Sequence, residues 1–124
     1  MLIVEENGAM RRLVRTLIEG LPMSISECPD GAQVLAACAE VQPDWVVLDL
    51  NLAGMDAFAA TRQMTAAYPH VRVLVLGEDD DVRLRDTAAR AGAWGYVLKA
   101  NLIGLRRLLD PIAQDSNCNN GNAC

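Results

Sequence analysis

The sequence predicts an α/β domain in which a parallel sheet is covered by helices on both faces. Three observations carry that expectation. Five short apolar runs alternate with five longer segments of helical period, the pattern of repeated strand–helix units. Two of the runs, Trp45–Leu50 and Val71–Leu76, are apolar almost throughout. They lack the polar alternation of a strand with one wet face, so both of their faces should be buried. Finally, 124 residues with 52% apolar and 22% charged side chains suit one ordinary hydrophobic core, with little room for a second domain.

The elements follow in order. Strand one is expected at Leu2–Val4. Ala9, Met10, Leu13, Val14, Leu17 and Ile18 then recur at helical spacing, with Arg11, Arg12, Arg15 and Glu19 on the other face, an amphipathic first helix. Strand two is expected at Met23–Cys28. Asp30 can accept from the free amides of a helix start and so cap an Ala-rich helix carrying Val34, Leu35 and Cys38. Strand three is Trp45–Leu50, and Asp56 can cap a third helix with Phe58 and Met64. Strand four is Val71–Leu76, followed by a helix over Asp81–Ala91 with a weaker apolar stripe. Strand five is Gly95–Leu98. Asn101 is placed to cap a last helix that turns Leu105, Leu108 and Leu109 inward, and Pro111 ends or kinks it for want of an amide hydrogen.

Composition also excludes function classes. Eleven basic residues against 16 acidic ones leave a net charge of −5, a poor match for nucleic acid or an anionic membrane. Aromatics at 4% are too few for base stacking along a single strand. No apolar run approaches the ~20 residues of a membrane-spanning helix. The first residues do not follow a secretory pattern, so the expected location is cytoplasmic. Cys28 and Cys38 lie in apolar segments, and Cys118 and Cys124 in a polar tail. No CxxC spacing supports a zinc or thioredoxin-type site. Residues 1–114 are read as the domain, and 115–124 as a polar tail, a linker or an expression remnant.

In open parallel sheets the ligand crevice lies beyond the carboxyl ends of the strands. Strand one ends in Glu5-Glu6, strand three around Asp49 with Asn51 beyond, strand four in Gly77-Glu78 and strand five in Lys99. Each residue alone has an ordinary reading: a turn residue, a solvated lysine, a surface charge run. Together, if the strands are adjacent, carboxylates and one ammonium converge. Clustered carboxylates repel one another without a cation, and oxygen donors suit a hard ion such as Mg²⁺. A carboxylate beside Mg²⁺ and Lys can act as a nucleophile toward a phosphoryl group, with metal and Lys99 neutralising the transferring oxygens. Trp45 and Trp94 are read as packing or edge residues rather than ligand platforms, and His70 as a surface loop residue. Arg106 and Arg107 are read as a solvated face that could also serve a dimer or partner surface.

The stretches LIVEEN, PDWVVLDLNLAGMDAFAATRQM and AGAWGYVLKA resemble a bacterial response-regulator receiver domain, the phosphoacceptor half of two-component signalling. The GYVLK form without a following Pro looks like the branch that carries LuxR-type DNA-binding domains. The resemblance implies a flavodoxin-like (βα)5 three-layer sandwich with strand order 2-1-3-4-5. It implies Asp49 as phosphoacceptor and Lys99 as the partner of the phosphoryl group. Glu5 and Glu6 match the acidic metal pair, Asn51 the backbone-carbonyl ligand of Mg²⁺ (or Mn²⁺), and Tyr96 the aromatic switch position. The implied phosphodonor is a sensor histidine kinase or a phosphotransfer protein. Such a chain is a signalling domain rather than an enzyme, limited to its own phosphoryl transfer and autodephosphorylation. A homodimer through a receiver face is possible, with no direct binding of nucleic acid or membrane.

Departures from the family pattern qualify this. Glu6 stands where Asp is usual, and one methylene more displaces a carboxylate that Mg²⁺ holds in strict geometry. Gly77 replaces the Thr or Ser whose hydroxyl serves the phosphoryl group and the switch, and charged Glu78 sits at the pocket rim. Two readings remain: a phosphoacceptor with weakened or rewired switch coupling, or a degenerate receiver acting as an interaction or dimerisation module without phosphorylation. A haloacid-dehalogenase-type phosphatase is disfavoured, because Asn51 stands where that chemistry needs a second Asp. A flavodoxin-like cofactor binder is disfavoured, because Glu5 and Glu6 occupy the loop that would cradle a phosphate.

Overall fold

A computed structural model describes residues 1–109. Pro111 and the polar tail with Cys118 and Cys124 lie outside them. Five strands, β1 (Leu2–Val4), β2 (Ser26–Cys28), β3 (Trp45–Asp49), β4 (Arg72–Gly77) and β5 (Gly95–Leu98), form one parallel sheet in the order β2-β1-β3-β4-β5. Five helices connect or follow them: α1 (Gly8–Leu17), α2 (Val34–Val41), α3 (Ala57–Ala67), α4 (Val82–Arg90) and α5 (Ile103–Leu109). No helix among the described residues is long and apolar enough to cross a membrane.

Strand side chains alternate between faces, and the core divides accordingly. Leu2, Val4, Val46, Leu48, Val73 and Val75 meet Cys38 of α2, Ala60 and Met64 of α3 and Ala88 of α4. Ile3, Val47, Leu74, Leu76 and Val97 meet Val14 and Ile18 of the first helical segment and Leu105 and Leu109 of α5. The central strands are buried on both sides, which is why their sequence shows no period of two.

The helix starts use side-chain caps. Asn7 Oδ1 accepts from the Met10 amide at 3.0 Å, a cap that helical spacing alone does not reveal. Asp56 Oδ1 accepts from Phe58 and Ala59, and Asp81 Oδ1 from Arg83, each satisfying free first-turn amides. Asp30 caps a 3-10 turn, Gly31–Gln33, which runs on into α2.

Several expectations need correction. Strand two begins at Ser26, not Met23, because Leu21–Met23 turn back on α1 through backbone bonds and Ser26 N first reaches Met1 O. Leu13 is 45% exposed, so the inward stripe of α1 is narrower than expected. Asn101 lies inside a 3-10 turn, Lys99–Asn101, and α5 begins two residues later. Arg106 is not simply a solvated side chain. Its Nη1 donates to Leu17 O at 2.8 Å and Glu19 O at 2.9 Å, satisfying carbonyls at the end of α1. Trp45 and Trp94 pack as expected, edge to face at 6.0 Å, with the Arg72 guanidinium 5.2 and 4.8 Å from their ring centres. His70 is exposed in its loop.

Candidate functional site

Parallel register brings the strand ends together. Val4 pairs with Leu48, so Glu5 and Asp49 follow side by side; Gly77 pairs with Leu98, so Glu78 and Lys99 do likewise. The Lys99 ammonium sits 2.9 Å from Asp49 Oδ1, 3.9 Å from Glu5 Oε2 and 3.8 Å from Glu78 Oε1. Glu5 and Asp49 are buried, at 3% and 4% exposure, whereas Glu78 is exposed. Three carboxylates therefore surround one ammonium, two of them inside the protein.

The backbone holds these groups in place. Asp49 Oδ1 also accepts from the Asn51 amide at 3.1 Å, and Glu5 Oε1 from the Asn7 amide at 3.1 Å. Glu5 Oε2 is buried with no hydrogen-bond partner, a costly state for a carboxylate oxygen. Burial pushes the Glu5 carboxyl above its ordinary pKa; the Asn7 amide and Lys99 pull it down, and the neighbouring Asp49 pushes it further up. Burial works against the charged form of Lys99, but the Asp49 hydrogen bond and the charges of Asp49, Glu5 and Glu78 outweigh it and raise its pKa. The ammonium is thus held charged against the carboxylates.

Glu6 takes a different position. Its side chain accepts from the Ala53 amide at 2.5 Å, tying the end of β1 to the loop after β3. Arg11 supports this loop from below: Nη1 donates to Glu5 O at 2.7 Å and Glu6 O at 3.0 Å, while Nε bonds Glu27 at 3.0 Å. Helical spacing assigned Arg11 to the solvent face. Its position six residues after Glu5 and five after Glu6, within one side chain of both, is the signal that points elsewhere.

At the other edge, Gly77 and Tyr96 are in direct contact. A methyl group placed on Gly77 would overlap Tyr96 Oη and Cζ and lie 3.0 Å from Cε2. The Tyr96 hydroxyl donates to Asp79 O at 2.9 Å. Arg85 covers the ring at 5.0 Å and bonds Tyr96 O at 3.3 Å. Arg85 was not singled out by the sequence, where it reads as one more charge on α4.

A divalent cation is implied for a site of this kind. The donors fit one: Glu5 and Asp49 offer hard carboxylate oxygens, and Glu5 Oε2 is an orphan that a cation would satisfy. Among the described residues no three His, Cys, Asp or Glu side chains already form a metal cluster.

Known proteins resemble this chain in sequence and in fold. The model of the response regulator receiver domain matches residues 1–112. The chain is 26% identical over 97 residues to the DNA-binding transcriptional regulator NtrC of Escherichia coli K12, covering 78% of this chain and 21% of that protein. It is 28% identical over 116 residues to the response regulator GacA of Pseudomonas aeruginosa, covering 91% of this chain and 53% of that one. It spans about half or less of the length of these relatives. The signal receiver domain of a DNA-binding response regulator from Colwellia psychrerythraea superposes with a TM-score of 0.83 at 20% identity, over 91% of this chain and 96% of that one. Receiver domains are signalling domains of two-component systems; they generally bind Mg²⁺ or Mn²⁺ and imply a histidine kinase or phosphotransfer partner. With the strand order, the acidic strand ends and the family match in agreement, this chain belongs to the response-regulator receiver domain family.

Proposed function

We propose that this domain accepts a phosphoryl group on Asp49 from a histidine kinase or phosphotransfer partner, in a Mg²⁺- or Mn²⁺-dependent reaction, and that its switch coupling is rewired. The observation that carries the reading is the Lys99 ammonium 2.9 Å from a buried Asp49 carboxylate, beside the orphaned Glu5 oxygen. A cation bound by Glu5, Asp49 and the Asn51 carbonyl, joined by Glu6 once its carboxylate leaves the Ala53 amide, would supply charge neutralisation for the phosphoryl oxygens.

The remaining roles belong to the chain. Asp49 offers a carboxylate oxygen at the end of a rigid central strand. That oxygen forms a bond to phosphorus as the P–N bond of a phosphohistidine donor breaks. The bonding pair returns to the imidazole nitrogen, and the phosphoryl group stays on Asp49 as a mixed anhydride. Lys99, already held charged, can transfer its hydrogen bond from Asp49 to a phosphoryl oxygen. Glu78 at the rim places a negative charge where the dianionic donor approaches, which slows entry at low salt. A purely phosphorylation-independent module has no need of this buried and electrostatically costly arrangement.

The test is incubation with Mg²⁺ and acetyl phosphate, followed by intact mass measurement. A gain of one phosphoryl group, acid-stable, base-labile and absent from Asp49→Asn, is expected. No gain, together with no Mg²⁺-dependent binding of beryllofluoride, would overturn the reading.

A further inference from the structure

The space beside Gly77 is filled by a phenol. The Tyr96 ring packs directly on the Gly77 backbone, so closely that one added methyl group cannot fit without moving the ring. The hydroxyl reaches over to the Asp79 carbonyl, two residues beyond Gly77 in the loop between β4 and α4. Arg85, on the first turns of α4, lies on the ring, bonds the Tyr96 carbonyl and pairs with Asp80 at 2.9 Å. The segment from Gly77 to Arg85 is thus fastened to one tyrosine of β5 by packing, by a neutral hydrogen bond and by a guanidinium.

The Asp49 pocket does not share these contacts. Lys99 reaches Asp49, Glu5 and Glu78, and Tyr96 reaches Asp79 and Arg85. An event at Asp49 can shift Tyr96 only through groups whose interactions differ between the two states. Residue 77 lies between the two sets of contacts, and it has no side chain to carry a displacement.

We propose that Tyr96 is a fixed strut, seated on Gly77 and fastened by Asp79 and Arg85, that holds the β4–α4 loop against β5 whatever the state of Asp49. The face formed by α4 and β5 is then presented constitutively. Any signal from Asp49 leaves by another route, of which the Glu78 side chain over Lys99 is the nearest. The inference rests on the phosphoacceptor reading for what it says about signalling, and on the Gly77–Tyr96 contact alone for what it says about the strut.

The sequence has two tyrosines, so 3-fluorotyrosine in a Tyr68→Phe background gives the full chain a single ¹⁹F signal, from Tyr96. Mg²⁺ and beryllofluoride are added while backbone amides are followed in parallel. The strut is supported if the amides of Leu50 and Asn51 shift and the Tyr96 signal stays within its linewidth. It is overturned if the Tyr96 signal moves with them. If no amide near Asp49 responds, the phosphoacceptor reading fails, and the strut is decided by Gly77→Ala in the same background. There the signal should move to that of an exposed tyrosine, and amides 79–83 should exchange several-fold faster. An unmoved signal overturns the proposal. Should Gly77→Ala not fold, Tyr96→Phe keeps the ring and removes the Asp79 bond. It should speed exchange of the same amides, and unchanged exchange overturns the strut.

Discussion

Lys99 Nζ lies between Asp49 Oδ1 at 2.9 Å and Glu5 Oε2 at 3.9 Å, so one ammonium bridges the buried carboxylates of two adjacent strands. Remove that cation and two carboxylates face each other with nothing between them.

Lys99→Met should therefore cost about 3 kcal/mol in metal-free buffer, the lower end for breaking a buried pair, since Lys99 keeps some solvent contact. The urea midpoint should fall without a change in slope. Added Mg²⁺ should restore part of the loss, because it supplies the missing positive charge. A midpoint equal to wild type would show that the site tolerates the uncompensated pair.

Mg²⁺ should stabilise the wild type by about 2.7 kcal/mol at a hundredfold excess over its dissociation constant. Glu5→Gln should lose most of that gain. In chelator it should be no less stable than wild type, because the amide removes a buried anion whose Oε2 has no hydrogen bond and only the 3.9 Å approach of Lys99. Thermal melts with and without Mg²⁺ check both arms, and a full Mg²⁺ response in Glu5→Gln would remove Glu5 from the ligand set.

Glu27 predicts a pH dependence. Its hydrogen bond from Arg15, joined by the Arg15 charge and by the hydrogen bond and charge of Arg11, outweighs the opposing effect of burial and holds its carboxyl below the usual range. A depressed folded-state pKa gives stability that is present above the unfolded value near 4.5 and lost as pH falls through the folded one. The pair is near the surface, so Glu27→Gln should cost below about 1 kcal/mol at pH 7. The difference between variant and wild type should vanish as pH falls below 4.5, and high salt should shrink it. A constant difference across that range would assign the effect to packing.

Burial, with a smaller push from Cys28, drives the Cys38 thiol up to about 11. Cys38 is fully buried against Met64, 3.5 Å from its sulfur. Alkylation at pH 8, mapped by peptide mass, should leave Cys38 unmodified in the native protein and label it in urea. Because the unfolded thiol ionises near 9, stability should also decline as pH rises above that value. Native labelling of Cys38 at the rate seen in urea would contradict its burial.

Much of the fold was legible in advance because hydrophobic period reports burial. Val46–Leu48 and Val73–Leu76 are apolar on both faces since both faces are covered. Asp56 and Asp81 cap helices because their carboxylates reach amides within their own turn. Local chemistry of this kind needs no partner from elsewhere in the chain. β2 is shorter than its apolar run because Met23 and Ile25 are apolar for another reason: they pack against the α1 and α5 layer outside the ladder. The role of Arg106 is not legible in the sequence because its acceptors, Leu17 and Glu19, lie nearly ninety residues earlier.

The candidate site divides in the same way. The residue types at the strand ends, and their placement at one edge of a parallel sheet, follow from the sequence alone, because strand direction and the βα repeat put every carboxyl end on one side. Strand order follows from the family resemblance and not from periodicity, and the 2.9 Å approach of Lys99 to Asp49 is decided only by tertiary structure. So are the diversion of Glu6 to the Ala53 amide, the orphaned oxygen of Glu5 and the seating of Tyr96 on Gly77. A sequence states which donors, acceptors and voids exist. Which of them meet depends on crossovers that bring distant segments within hydrogen-bond range, and a missing side chain acquires a meaning only from the neighbour that fills its place.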